Sequence, residues 1–218
     1  MSNGIKLYAI SGLGADYRVF QFVNLNAELI HLNWIQPGKE ESLQQYTHRL
    51  AKKIDTTEPF GLMGVSFGGL IATEIAKKWH REFAILISST DVTKGLPKIY
   101  GWVGKLGVLK LIPSACFQIP KWMANLLFGA KNKRLLSDIL DDSDVDFTKW
   151  ALKALTTWKN ETPIINGLKI NGTKDVLIPG RKDSHTQFVE SGTHFMIVDR
   201  ADEVSDLVNS FLKNQVAK

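Results

Sequence analysis

Short apolar runs alternate with amphipathic segments along most of the 218-residue chain. The runs are Ile5 to Ile10, Ala27 to Trp34, Phe60 to Val65, Phe83 to Ser88, Pro163 to Ile170 and Gln187 to Glu190. A short run that is apolar throughout reads as a strand buried on both faces. Helical connections between such strands make a parallel sheet covered by helices on both sides. The chain is therefore expected to be a single α/β domain over residues 1–218. Its sheet should be mostly parallel, with about six strands flanked by helices.

Between the runs, Ser42 to Asp55 reads as a helix with Ser42 as its N-cap, and Leu70 to Trp79 as a second one rich in strong helix formers. The alternation stops between Asp91 and Glu161, where Pro97, Pro113, Pro120 and four of the six tryptophans lie and no strand pattern is visible. Residues 91–161 read as a mostly helical insertion. In its last part, Asp144 to Lys159, the residues Phe147, Trp150, Ala151, Ala154, Leu155 and Trp158 recur at steps of three and four, the spacing of one apolar stripe on a helix. That stripe either packs on the main domain or lines a pocket. Val204, Leu207, Val208 and Leu212 form another stripe within Ala201 to Leu212, expected to be a final helix on the sheet.

Composition excludes several classes. Hydrophobic residues make up 44% and charged residues 22% of the chain, and no apolar run approaches the roughly 20 residues of a membrane span. Met1 to Lys6 leads straight into a strand-like run without the pattern of a secretory signal, so cytoplasmic residence is expected. The single cysteine, Cys116, can form no internal disulfide, and no Cys/His cluster has zinc-site spacing, so no metal is expected. Cys116 has no nearby base and reads as a small apolar residue of the insertion. The net charge of +5 comes from small groups such as Lys52 and Lys53, Lys77 and Lys78, and Lys131 to Arg134, read as solvated helix faces. No nucleic-acid motif accompanies them, and nucleic acid is not an expected partner.

The chemistry-bearing signal is Leu62-Met63-Gly64-Val65-Ser66-Phe67-Gly68-Gly69, which follows a strand-like run and precedes a helix-like one. A sharp strand-to-helix turn at that place exposes a serine at the C-terminal sheet edge, with glycines where side chains would collide with backbone. A serine hydroxyl needs a base to take its proton, and five histidines are present. His31 lies in a strand run, His48 and His80 lie in or at the end of helices, and His185 just precedes the last strand, all read as structural or surface residues. His194 sits in the polar stretch Glu190-Ser191-Gly192-Thr193-His194-Phe195 after the last strand, from which it can reach the sheet edge.

A carboxylate should orient that histidine. Asp175, in the turn-rich loop Asn171 to Pro179 after a strand, is the best placed, with Asp91 and Asp183 as rivals. The order Ser66, Asp175, His194 matches the order expected of such an architecture. The glycine-rich Ser11-Gly12-Leu13-Gly14-Ala15-Asp16 follows the first strand, and the backbone amides of Leu13 and Phe67 are the expected oxyanion donors. A dinucleotide loop would need a third glycine and an acidic residue closing the next strand, and neither is present.

With these signals in this order, the sequence resembles the α/β-hydrolase superfamily over nearly its full length. The resemblance implies a nucleophile at Ser66, an acid at Asp175, a base at His194, a lid formed by the insertion, and no cofactor. Many relatives have His-Gly where this chain has Ser11-Gly12 and again where it has Asn171-Gly172. Neither changed side chain belongs to the triad. The chain also starts at what corresponds to the third strand of the family, which implies a smaller sheet. The expected activity is hydrolysis of a small-molecule carboxylic ester or thioester with an apolar group. The alternatives are C–C hydrolase, lyase or perhydrolase chemistry on the same triad, or a ligand-binding protein without turnover.

Overall fold

The structure is a computed structural model that describes residues 5–79, 81–113, 117 and 119–216. In chain order its regular elements begin with β1 (Lys6–Ile10), β2 (Glu28–His31), α1 (Leu43–Ala51), β3 (Phe60–Val65), α2 (Phe67–Lys78) and β4 (Phe83–Ile87). Then come α3 (Lys98–Leu106), α4 (Lys121–Phe128), α5 (Lys133–Asp141) and α6 (Val145–Thr157). The chain closes with β5 (Gly167–Gly172), β6 (Thr186–Val189), α7 (Met196–Asp199) and α8 (Ala201–Val216). The six strands form one sheet in the order β2-β1-β3-β4-β5-β6, and every neighbouring pair is parallel.

Successive residues of a strand point to opposite faces, so a run that is apolar throughout feeds two cores. Tyr8, Ile10, Phe60, Leu62, Ala84 and Leu86 join the core beneath α1, α2 and α6. Their neighbours Leu7, Ala9, Met63, Val65, Ile85 and Ile87 join the other core, with α7 and α8. Full burial of each such large aliphatic side chain stabilises the fold by about 1.5–3 kcal/mol before entropy is counted. Among the described residues, no helix is long and apolar enough to cross a membrane.

Element ends differ from the sequence expectations for local reasons. Ser42 caps α1 as expected, and it does so reciprocally: its hydroxyl accepts from the Gln45 amide while the Gln45 side chain accepts from the Ser42 amide. That helix ends at Ala51, not Asp55, because Lys53 and Ile54 make tighter bonds back to Leu50 and Ala51. The strand expected over Pro163 to Ile170 starts only at Gly167. Pro163 has no amide to donate, and the Ile164 amide donates to the Asp91 carboxylate at 3.0 Å rather than to a neighbouring strand.

The helix after the third strand starts at Phe67 rather than Leu70, directly behind Ser66. The last helix runs to Val216, four residues past the expected end at Leu212. Between β4 and β5 the described residues hold α3 to α6 and no strand. The stripe on α6 packs inward: Phe147 stacks on Trp34 at 5.0 Å and Trp150 on Tyr46 at 4.4 Å between ring centres. Farther along, the Trp158 indole donates to the buried Glu74 carboxylate at 2.8 Å.

Candidate active site

Ser66 stands between β3 and α2 with φ 53° and ψ −122°, a left-handed conformation that a non-glycine residue adopts only under constraint. The constraint comes from tight packing of the turn. A Cβ on Gly68 would collide with the carbonyl oxygens of Ile10 and Ser11, so only glycine lets α2 approach β1 this closely. A second support comes from Ser89, just past β4, whose hydroxyl donates to the Ser66 carbonyl at 2.7 Å. Sequence reasoning missed Ser89, because nothing in Ser88-Ser89-Thr90 signals which serine turns toward the elbow.

The structure brings Ser66, His194 and Asp175 into one hydrogen-bonded chain. His194 Nε2 lies 2.8 Å from Ser66 Oγ, and His194 Nδ1 lies 2.8 Å from Asp175 Oδ2. An ionised carboxylate only accepts, so Nδ1 carries the proton and Nε2 is free to accept from the serine hydroxyl. Asp175 is itself fixed, since its Oδ1 accepts from the Leu177 and Ile178 amides at 2.9 Å each. Both His194 and Asp175 are buried, while Ser66 is half-exposed at the sheet edge.

The loop that carries His194 is anchored on α4. The Phe195 amide donates to the Phe128 carbonyl at 3.1 Å, and the Thr193 hydroxyl donates to the Gly129 carbonyl at 3.1 Å. The Phe128 ring meets the His194 imidazole edge-on at 5.4 Å between centres. On the acid side, Asn171 uses its amide group to tie the Ser89 and Ile178 carbonyls together, at 3.2 and 3.3 Å. Asn171 is thus a buried cross-tie between the end of β4 and the acid loop.

The rival carboxylates face elsewhere. Asp91 is buried, pairs with Lys169 at 3.1 Å and accepts the Ile164 amide. Asp183 pairs with the same lysine at 2.6 Å and caps the turn before β6 through the His185 amide. The burial of Asp183 alone would raise its pKa. Its bonds from Lys169, Thr186 and the His185 amide outweigh that and hold the carboxyl below the usual range.

The other histidines among the described residues also lie apart from Ser66. His31 sits against Tyr17 and Phe20 on β2, His48 stacks on Trp79, and His185 belongs to the β6 turn. His80 and Cys116 lie outside the described residues.

The glycine-rich loop after β1 lies beside the serine: a Cβ placed on Gly12 would sit 3.4 Å from Ser66 Cβ and 3.9 Å from its Oγ. The loop is closed by the Ala15 amide on the Gly12 carbonyl at 3.0 Å and by the Ser11 hydroxyl on the Ala15 carbonyl at 2.8 Å. The Trp34 indole donates to that same carbonyl at 2.9 Å. Phe67 is the first residue of α2, so its amide belongs to the helix turn that has no partner within the helix. Among the described residues no group of three His, Cys, Asp or Glu side chains is arranged to hold a metal ion.

No family model and no curated protein matches the sequence. Solved structures do match in fold. MenH from S. aureus superposes with a TM-score of 0.70 at 18% identity, covering 99% of this chain and 96% of that one. A lipase-esterase related protein from Clostridium acetobutylicum gives 0.69 at 17% identity, covering 96% and 95%. A thermophilic esterase from Thermogutta terrifontis gives 0.67 at 15% identity, covering 98% and 91%. At such identities what is shared is the architecture, and on that architecture the chain has the α/β-hydrolase fold.

Proposed function

We propose that the protein is a serine hydrolase that cleaves a small carboxylic ester or thioester carrying an apolar group. The observation that carries this reading is the hydrogen-bonded line from Ser66 Oγ through His194 to Asp175, with both contacts at 2.8 Å. The resemblance in fold to proteins described as esterases and lipase-esterases adds to it.

In this reading Ser66 Oγ attacks the substrate carbonyl carbon while His194 Nε2 takes the hydroxyl proton. Asp175 holds the imidazole by Nδ1 and stabilises the imidazolium that results. The oxyanion is bound by the backbone amides of Phe67 and Leu13, and the positive end of α2 adds to the field there. His194 then returns the proton to the departing alcohol or thiol, which leaves an acyl group on Ser66. Water activated by His194 releases the acid and restores the hydroxyl.

Residues 91–161 would act as the lid. Phe128 and Tyr100 supply it with contacts at the site: Phe128 meets His194, and Tyr100 donates to the Leu177 carbonyl at 3.3 Å beside the acid loop. A lid of this composition suits an apolar acyl or alcohol group.

The test is intact-protein mass after exposure to a fluorophosphonate, with Ser66→Ala and His194→Ala as controls. One adduct on the wild type and none on either variant is expected, followed by turnover of p-nitrophenyl esters and acyl thioesters. An adduct that persists in Ser66→Ala, or a folded wild type that takes no adduct, would overturn the reading.

A further inference from the structure

We propose that Arg18 is a positioning residue that couples the insertion to the oxyanion loop. Its guanidinium bridges Asp16, at the end of the loop that carries Leu13, and Asp142, in the turn between α5 and α6. The inference rests on the proposed reading of Ser66 as nucleophile and says what holds the oxyanion site in shape.

The loop is a tight turn. Gly14 takes the positive φ of 71° that the turn needs, and the Ala15 amide closes it on the Gly12 carbonyl. Among the described residues nothing accepts from the Leu13 amide, so it is free to donate to a developing oxyanion. The Ser11 hydroxyl and the Trp34 indole fix one end of the turn at the Ala15 carbonyl. The next residue, Asp16, fixes it from the more exposed side.

The Asp16 carboxylate accepts from the Arg18 amide at 2.9 Å, from Arg18 Nε at 2.9 Å and from Nη2 at 2.7 Å. Nη2 also donates to Asp142 at 2.8 Å, 124 residues along the chain. A planar fork of donors can hold two carboxylates in a fixed geometry, which the single point charge of an ammonium does less well.

Asp142 lies where the insertion crosses from one face of the sheet to the other. Leu136 and Ile139 of α5 belong to the core with α7 and α8, whereas Phe147 and Ala151 of α6 belong to the core with α1 and α2. The turn between these helices rests on the oxyanion loop: a Cβ on Gly14 would lie 3.2 Å from Ser143 Cβ. Beyond the turn, α6 supports the surroundings of both donors, since Phe147 stacks on Trp34 and Trp150 meets the Phe67 ring edge-on at 6.1 Å. The Arg18 bridge thus ties the crossing turn to the loop beneath it.

The bridge is open to solvent, with Asp142 67% and Arg18 21% exposed. An ion pair that exposed adds little to stability, so its loss should appear in rate rather than in unfolding. Asp141 supplies a matched control. It is the adjacent residue, is 57% exposed and pairs at 2.6 Å with Lys121, within the insertion itself.

The experiment compares Asp142→Asn, Asp142→Glu, Arg18→Gln and Asp141→Asn with the wild type in turnover of a short p-nitrophenyl ester. Asp142→Asn should lower kcat roughly tenfold and Arg18→Gln roughly 30-fold, both less than the about 10²–10³-fold lost with an oxyanion donor itself. KM should change little, because the donor acts in the transition state. Asp142→Glu should recover most of the loss, and Asp141→Asn should match the wild type. Urea midpoints of the Asp141 and Asp142 variants should stay near wild type, and Asp142→Asn carries the test if Arg18→Gln fails to fold.

A second readout is inhibition by a short alkyl trifluoromethyl ketone. Ser66 Oγ adds to its carbonyl carbon, the hydroxyl proton passes to His194, and the former carbonyl oxygen becomes the oxyanion. Inhibition should weaken in Asp142→Asn and Arg18→Gln by the same factor as kcat/KM. Wild-type kcat in Asp142→Asn, equal losses in the Asp141→Asn and Asp142→Asn variants, or unchanged inhibition beside a reduced kcat would overturn the proposal alone. A folded wild type that takes no fluorophosphonate adduct would overturn the reading of Ser66 and this proposal with it.

Discussion

The Ser89 hydroxyl donates to the Ser66 carbonyl at 2.7 Å and so ties the end of β4 to the turn that ends β3. The bond acts on a residue in a strained conformation, and the same carbonyl also accepts from the Gly69 amide at 2.9 Å. Ser89→Ala leaves the carbonyl one partner, so the stability loss should be about 1 kcal/mol, read from urea unfolding. If the bond also holds the elbow in register, kcat for a short-chain ester should fall with KM little changed. An unchanged kcat together with the stability loss would limit Ser89 to a structural role.

Asp175 and Asp91 offer a direct contrast, because both are buried carboxylates after parallel strands yet only Asp175 meets His194. Asp175→Asn should lower kcat on the order of 10⁴-fold by disturbing the tautomer and the support of the imidazolium. Asp91→Asn should leave kcat near wild type and instead reduce stability by about 1.5–3 kcal/mol, since Lys169 loses one of its two carboxylate partners. The reverse pattern in parallel kinetic and unfolding measurements would assign the acid to Asp91.

Gly68 tests the packing of the elbow. A methyl group there meets backbone oxygens of Ile10 and Ser11 that belong to β1 and its following loop, and neither can move without disturbing the ladder to β3. Gly68→Ala should therefore lie at the upper end of the about 1–3 kcal/mol typical of overpacking. A melting temperature equal to wild type would show that the turn opens freely.

His31 makes stability depend on pH. Burial lowers its pKa, and the bond to Asn33 and the charge of Asp16 offset this only in part. Its Nε2 is buried without a hydrogen-bond partner. With the folded value depressed, the unfolded chain takes up the proton first as pH falls. The stability that neutral His31 provides is thus fully present above its unfolded pKa of about 6.5 and is lost as pH falls through the folded value. Urea midpoints of the wild type should drop more between pH 7.5 and 5.5 than those of His31→Gln; equal drops would remove His31 as the cause.

Much of the architecture was legible in the residues alone, because apolar periodicity is a local property. A run such as Phe60 to Val65, apolar at every position, can serve only a strand covered on both faces, and Met63 and Leu62 do enter opposite cores. The cap at Ser42 was equally local, since Gln45 lies within one turn of it. Strand ends were not: β5 begins late because the Ile164 amide finds Asp91, which is 73 residues away.

The grouping of Ser66, His194 and Asp175 follows the same division. The sequence by itself supplied a glycine-flanked serine behind a strand, a histidine in a late polar loop and three eligible aspartates. Only the tertiary structure decided which carboxylate stands beside the imidazole. That choice depends on contacts 128 residues apart for Ser66 and His194, on the Lys169 amine that occupies Asp91 and Asp183, and on amides of the Asp175 loop that turn back onto its own carboxylate. Distances of this kind arise from sheet order and loop closure, which no local pattern of residues encodes.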